Sequence, residues 1–364
     1  MKIALVYDRI NKFGGAERIL LALHQIWPQA PLFTAVYSPR QAGWADAIKI
    51  QPSWLNYFPL AKNHHELYPW LTPLAFESFK FDQYDVVISV TSAEAKSIIT
   101  GPKTLHLCYC LTPTRYLWSH KTHYFTDQVL GFWLKLWHHR LQADDLIYSQ
   151  RPDQYLAISQ TIQSRIKQYY HCDSQTIFPP VDTQKFSYFP SQEYFLIVSR
   201  LVTYKRIDLA IKACNQLREK LIIIGTGREM ARLKKISGPT ISFVGSVSEK
   251  QLINYYQHCQ ALIMPQEEDF GIASVECQAS GKPVIAFKKG GASETIISGQ
   301  TGILFAYQTV DSLISAMKQS KTRDWDNHLI QSQAKKFDQL VFKTQFKQVV
   351  EEQWIQYQRR QQKS

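Results

Sequence analysis

Three hundred and sixty-four residues exceed one ordinary hydrophobic core and fit two domains of about 150–200 residues each. Hydrophobic residues at 45% against 20% charged make a folded soluble chain, and 15 Gly with 16 Pro exclude collagen and low-complexity arrays. Lys and Arg (42) outnumber Asp and Glu (30) for a net charge of +12, yet no block of five or six like charges occurs, so anionic small molecules or an acidic membrane surface are expected as partners rather than nucleic acid.

The excess is uneven: residues 1–188 carry +4 and the remainder +8. No apolar run approaches the ~18–20 residues of a spanning helix. MKIALVYD at the start reads as a buried strand, not as a signal peptide, so a cytoplasmic chain is expected. Cys108, Cys110, Cys172, Cys214, Cys259 and Cys277 show no zinc spacing and are read as buried small hydrophobes.

Along the chain, strand-like and helix-like segments alternate. Lys2–Tyr7 is apolar and β-branched, and a glycine loop leads from it into a helix over Ala16–Ile26, where Ile19, Leu20, Leu23 and Ile26 share one face. Leu32–Tyr37, Asp85–Val90, Thr104–Cys110 and Tyr155–Ile158 read as further strands, the last followed by a helix over Thr161–Tyr170. The aromatic stretch Pro52–Phe81 is interrupted by Pro59, Pro69 and Pro73, so its helices must be short. Pro179-Pro180 opens a linker, because neither residue can continue a helix or enter a central strand.

Beyond the linker the pattern restarts. Phe195–Ser199, Leu221–Gly225, Ile241–Val244, Ala261–Met264 and Pro283–Phe287 lack polar alternation, as parallel strands covered on both faces do. Helical segments over Ile207–Leu217, Glu229–Lys235, Glu249–Cys259 and Ser274–Ala279 separate them. The expected architecture is α/β, with two doubly wound Rossmann-like domains over residues 1–180 and 181–335 facing across a cleft. A polar amphipathic helix within 336–364 is expected to pack back toward the first domain.

Four constellations fall just after strands. Gly14-Gly15 opens the first helix, where backbone N–H groups and the dipole suit an oxyanion; a glycine turn capping the helix is the plain alternative. It is neither G-x-G-x-x-G nor a Walker loop. Arg200, Lys205 and Arg206 crowd the loop after Phe195–Ser199 and could clamp a diphosphate, or form a solvated charge cluster. Glu268 precedes and Glu276 lies inside a helix that begins near Ile272, with Gly271 between; such carboxylates can hold sugar hydroxyls, or only complement the helix dipole. Gly290-Gly291 with Glu294 forms either an anion nest or a tight turn.

Together these motifs resemble the family 4 retaining glycosyltransferases of GT-B fold, and most closely the O-antigen mannosyltransferase-like branch. Tyr109–Trp118, Pro179–Asp182, Tyr204–Asp208 and Glu267–Ile272 carry the likeness to that branch. The resemblance implies that Arg200 and Lys205 neutralise the diphosphate of a nucleotide-sugar donor and stabilise it as it leaves. It further implies that Glu276 accepts from the ribose, that Glu268 lies at the donor sugar, and that Phe270, Gly271 and Ile272 offer N–H groups to its hydroxyls. Gly15 would contact the diphosphate, Glu294 would join the donor site, and base recognition would rest on backbone near Gly245–Val247.

By the same resemblance, no metal or other cofactor is expected and attack comes from the leaving-group face. The implied reaction moves mannose from GDP-mannose to a polyprenyl-linked glycan in O-antigen or other surface-polysaccharide assembly, at the inner face of the cell membrane. Val129–Arg140, rich in Trp, Phe, Lys and Arg, is either an anionic-lipid contact or an ordinary helix. One position departs from the branch: Leu111 stands where a histidine is usual and cannot hydrogen-bond. His120 and His123 are nearby in sequence, and Ser119 stands where an acid is common. The alternatives are another nucleotide sugar, or a nucleotide-sugar-binding subunit impaired in turnover.

Overall fold

A computed structural model describes residues 1–64, 67–119 and 130–362, with the backbone alone over 130–136. The chain forms two compact units, Met1–Pro180 with Phe342–Ser364, and Val181–Val341.

The first unit is built on a parallel sheet: β1 (Ile3–Ile10), β2 (Leu32–Tyr37), β3 (Ile50–Pro52), β4 (Val86–Thr91), β5 (Leu105–Cys110), β6 (Gln154–Ala157) and β7 (Ser174–Thr176). Their spatial order is β3-β2-β1-β4-β5-β6-β7. Every residue of β4 and β5 is buried, which is why both read as unbroken apolar runs. The chain winds outward from β1 to β2 and β3, then returns to β4 on the other side. The sheet therefore has its topological switch point between β1 and β4, where open α/β sheets bind ligands at their strand C-termini.

In the aromatic stretch the helix Leu71–Glu77 is short, with Pro73 in its first turn. The helix Gln160–Tyr170 starts where the Ser159 hydroxyl accepts from the Ile162 N–H at 3.1 Å. The C-terminal helix Gln339–Gln361 returns to this unit. Phe342 and Phe346 pack on the Tyr109 ring with centroids 6.0 and 5.2 Å away, and the Tyr357 hydroxyl donates to the Pro102 carbonyl at 2.9 Å.

The second unit carries β8 (Phe195–Val198), β9 (Leu221–Ile224), β10 (Ile241–Gly245), β11 (Ala261–Met264), β12 (Val284–Phe287) and β13 (Gly302–Phe305), in the spatial order β10-β9-β8-β11-β12-β13. All pairs are parallel, and the switch point lies between β8 and β11. Ile197, Ile211, Ile223, Ile263, Ile285 and Leu313 fill one face, while Leu196, Tyr256, Leu262, Met264 and Val284 fill the other. The segments entering and leaving this unit run side by side, with the Val181 N–H on the Phe337 carbonyl at 3.0 Å and the Gln339 N–H on the Val181 carbonyl at 2.9 Å.

Some expectations need correction. β10 is an edge strand whose residues alternate between half-buried and exposed, so it is not covered on both faces. The short polar β3 and β7, β13 and the helices Val310–Thr322 and Asn327–Lys335 carried too little apolar signal or lay beyond the elements recognised. All six cysteines are free thiols, but Cys172 is only half-buried.

Candidate functional site

The site in the second unit grows from the two strands that flank its switch point. After β8 the chain passes Ser199 and Arg200 and makes a single turn over Thr203–Lys205. Arg206 then takes the left-handed conformation, φ 50°, and the helix Ile207–Leu217 begins. That kink separates the cations. Lys205 is 8% exposed, whereas Arg206 is half-buried and pairs with Asp208 at 3.5 Å. Arg200 is exposed and its guanidinium donates to the Tyr204 hydroxyl at 3.0 Å.

After β11 the chain reaches Gln266 and Glu268. The Lys205 ammonium pairs with Glu268 Oε1, and the Gln266 amide donates to the same oxygen at 2.8 Å. Burial alone would raise the Glu268 carboxyl; the adjacent Lys205 charge and the two hydrogen bonds outweigh it and hold the group below its ordinary range. Glu268 is therefore an anion at neutral pH, and Lys205 has three N–H donors of which Glu268 engages one.

The loop after β12 packs against the backbone of this segment. Gly290 bridges Glu268, and the Gly291 N–H donates to the Glu268 carbonyl at 2.8 Å. A Cβ on Gly290 would lie 2.2 Å from the Glu268 oxygen, and one on Gly291 2.4 Å from the Phe270 Cα. The glycine pair thus lets two strand-end loops touch. Gly225 and Gly227, after β9, play the same part against Ser199 and Leu201: their Cβ atoms would lie 1.9 and 2.2 Å from those carbonyl oxygens.

Phe270 is buried edge-on against Phe337, 5.5 Å between centroids, and Gly271 has φ 90° as the residue before the helix Ile272–Ala279. Glu276 lies inside that helix, 5% exposed, and accepts from the Tyr256 hydroxyl at 2.8 Å. Glu294 is half-buried in the first turn of Ala292–Thr295. Lys205 and Glu268 are thus in contact and Phe270, Gly271 and Ile272 follow directly on Glu268, whereas the contact of Arg200 is with the Tyr204 hydroxyl, one residue before Lys205. Gln266, Tyr256, Gly225 and Gly227 were missed. The Gly-Thr-Gly after the apolar run Leu221–Ile224 was the legible signal for the last two.

In the first unit Gly15 is the exposed first residue of the helix Gly15–Ile26, and Gly14 caps it. Glu17 is buried and accepts from the Tyr7 hydroxyl at 2.6 Å. At the switch point Asp8 accepts from the Thr91 hydroxyl at 2.7 Å and from the Ser92 and Ala95 N–H groups at 2.8 and 2.9 Å, joining the ends of β1 and β4. Leu111 is half-buried just beyond β5, its N–H on the Thr91 carbonyl at 2.8 Å, and Ser119 is half-buried. His120, His123 and Val129 lie outside the described residues, and the rest of Val129–Arg140 forms the start of the helix Leu130–Ser149. Among the described residues no helix is long and apolar enough to cross a membrane.

Residues 181–337 match the family model of glycosyl transferases group 1. Over 160 residues the chain is 32% identical to the lipopolysaccharide 1,2-N-acetylglucosaminetransferase of Salmonella typhimurium, covering 38% of this chain and 42% of that protein. Over 170 residues it is 28% identical to the GDP-mannose-dependent alpha-(1-6)-phosphatidylinositol monomannoside mannosyltransferase of Mycolicibacterium smegmatis, covering 38% of this chain and 44% of that protein. These matches span less than half the length of either relative. Anabaena HepE, solved in complex with UDP and glucose, shares the fold over 96% of this chain and 99% of its own, with a TM-score of 0.70 and 18% identity. Residues 181–337, less than half of the chain, thus match the glycosyl transferases group 1, and the chain that carries them has the GT-B fold.

Proposed function

We propose that the chain is a retaining glycosyltransferase that moves mannose from GDP-mannose to a polyprenyl-linked glycan in the assembly of O-antigen or a related surface polysaccharide. The observation that carries this reading is the Lys205–Glu268 pair, formed by the loops of two adjacent strands at the switch point of the second sheet. Ligands of open α/β sheets bind at such a point. A cation and an ionised acid side by side suit a sugar diphosphate. Lys205 and Arg200 meet the phosphates, while Glu268 accepts from sugar hydroxyls and Phe270, Gly271 and Ile272 supply N–H groups. Glu276, fixed by Tyr256, accepts from the ribose. Glu294 completes the donor contacts of this unit.

In the reaction the bond from the sugar C1 to the diphosphate oxygen breaks, and a bond from C1 to the acceptor oxygen forms on the same face. The acceptor proton passes to the departing phosphate, and the nucleoside diphosphate leaves. Charge grows on that phosphate in the transition state, and Lys205 and Arg200 stabilise it where it grows. These cations do the neutralising that a metal ion would otherwise do. The net charge of +12 and the exposed Tyr57, Leu60, Leu67 and Leu74 support a peripheral position on an anionic membrane surface.

A second donor is favoured by one observation: Anabaena HepE, which shares the fold, was solved with UDP and glucose. A thermal-shift panel of GDP, UDP, GDP-mannose and UDP-glucose decides between them, since a ligand at 100 times its Kd stabilises the folded state by about 2.7 kcal/mol. GDP-mannose should give the largest shift, and turnover should be indifferent to EDTA. A shift from no nucleotide refutes the reading. A shift with no turnover on any lipid-linked acceptor identifies a binding subunit, with Leu111 as the departure to examine.

A further inference from the structure

The segment that carries Glu268 has its backbone held on both sides. At the end of β11 the Pro265 carbonyl accepts from the Gln308 amide at 2.8 Å. Three residues on, Glu268 bridges Gly290, and its carbonyl accepts from the Gly291 N–H at 2.8 Å. With the main chain fixed, the freedom left to this acid lies in its side-chain torsions, and the donors on its oxygens set where it points.

Those donors are unequal. Lys205 and Gln266 both meet Oε1, the amide at 2.8 Å. Two donors fill the two lone pairs of that oxygen. Oε2 accepts no hydrogen bond from the described residues and is not buried, so it is the oxygen open to a ligand. Lys205 is a cation with two further N–H groups, and a diphosphate competes for it by charge. Gln266 is neutral and 4% exposed, so it offers a ligand neither charge nor surface. When the Lys205 ammonium turns toward a phosphate, Gln266 is the donor that stays.

We propose that Gln266 is a positioning residue of the donor site: it keeps Oε1 of Glu268 in place while Lys205 serves the diphosphate, and so presents Oε2 to the donor sugar. The proposal deepens the glycosyltransferase reading and rests on it. Without this amide the carboxylate has Lys205 as its one partner and follows the ammonium toward the phosphates, where it meets like charge. With it, the two members of the ion pair can separate and each keeps its own task. A neutral amide suits this role better than a second cation, because a cation would itself be drawn to the diphosphate, whereas the amide still makes a charge-assisted bond to the acid.

Calorimetric titration of the full chain with GDP and with GDP-mannose tests this, because the ratio of the two Kd values isolates the share of the sugar. Should the thermal-shift panel select UDP, the UDP and UDP-glucose pair replaces them. Gln266→Met keeps the side-chain length and removes the donor. Affinity for the nucleoside diphosphate should stay within a factor of about two, while the preference for the sugar nucleotide should fall about tenfold, the worth of one hydrogen bond to a charged group. Gln266→Ala, which leaves space for a water to donate in place of the amide, should lose less. In a Glu268→Ala background, adding Gln266→Met should not change the ratio, since Gln266 acts through Glu268. An unchanged ratio in Gln266→Met overturns the positioning role. Equal losses for both ligands also overturn it, because a residue needed only by the fold behaves in that way. A further drop on adding Gln266→Met to Glu268→Ala overturns the route through the acid. These results end this inference alone when the wild type binds its nucleotide, whereas a wild type that binds no nucleotide ends the glycosyltransferase reading.

Discussion

Replacing Lys205 by Met separates the fold's need for a cation beside Glu268 from the ligand's need for one. The two side chains are 10% and 18% exposed, so the pair is largely out of water. Removing one partner of a buried pair costs about 3–5 kcal/mol, and the residual exposure puts this case near the lower end, about 3 kcal/mol at neutral pH. The sign with pH follows. In the wild type the Glu268 carboxyl lies below its ordinary range, so the pair's contribution is present above the unfolded carboxylate value and fades as pH falls through the folded one. In Lys205→Met only Gln266 still donates, burial dominates, and the carboxyl rises above its ordinary range. The variant's deficit is then largest at neutral pH and shrinks on acidification. Adding Glu268→Gln should restore most of the stability, because an amide needs no counter-charge. It should not restore nucleotide affinity, which loses a charge-assisted hydrogen bond of about 2 kcal/mol, or about thirtyfold. Denaturant titrations across the acid range, paired with calorimetric GDP titrations, read both quantities. A deficit that does not shrink on acidification refutes the pairing. GDP affinity kept within a factor of about two refutes the diphosphate role, since a single charge-assisted bond is worth more than that.

Three further outcomes are expected. Gly291→Ala should push the loop after β12 away from the Phe270 backbone, 2.4 Å from the new Cβ, costing about 1–3 kcal/mol and weakening donor binding while amide exchange in β4 and β5 stays unchanged. Burial pushes the His106 imidazole down to about 3, with Arg151 adding to it, so the unfolded chain takes up a proton that the folded chain refuses. Stability of the first unit should therefore fall as pH drops from about 6.5 toward 3, by about 2 kcal/mol at pH ~5, and denaturant titrations read through β5 amide exchange should show His106→Gln flattening that limb. Leu111→His should raise turnover about tenfold if a hydrogen bond from that position is missing, measured as product formed by mass spectrometry; an unchanged rate shows that Leu111 limits nothing.

How much was legible in the chain depends on what shaped each segment. VVISVT, LHLCYC, ALIM and VIAF are central strands covered on both faces, and full coverage leaves an unbroken apolar run. IQP and SQT are short edge strands whose partners hold them by backbone alone, so their sequence carries no pattern. The cationic loop and Glu268 stood out because charges directly after apolar runs are conspicuous. Gln266 and Tyr256 did not, because a neutral donor looks the same whether it serves a core or a site. The glycines after β9 and β12 answer contacts between neighbouring strand-end loops, which lie far apart in sequence and leave no periodicity.

Carboxylates at the two switch points show why residue type alone does not separate a site from its support. Asp8 lies near the end of β1 and Glu268 follows β11; both strands are central and both acids are largely buried. Asp8, 3% exposed, accepts from the Thr91 and Ser92 hydroxyls and from two backbone N–H groups, distributed over both its oxygens. A ligand could displace these only by unmaking the loop after β4, so Asp8 belongs to the scaffold. Glu268 accepts from Lys205 and Gln266, both on Oε1, from two long side chains that can turn without disturbing the backbone. Its side chain is 18% exposed. A sugar diphosphate can therefore enter by exchanging one mobile donor for another, with little strain in the fold. By the same criterion Glu94, whose hydrogen-bond donor among the described residues is the Tyr116 hydroxyl on Oε1, with the Arg9 charge nearby, resembles Glu268 rather than Asp8. Each unit thus sets a presented acid at its switch point, and in the first unit Asp8 supports the loop from which that acid projects.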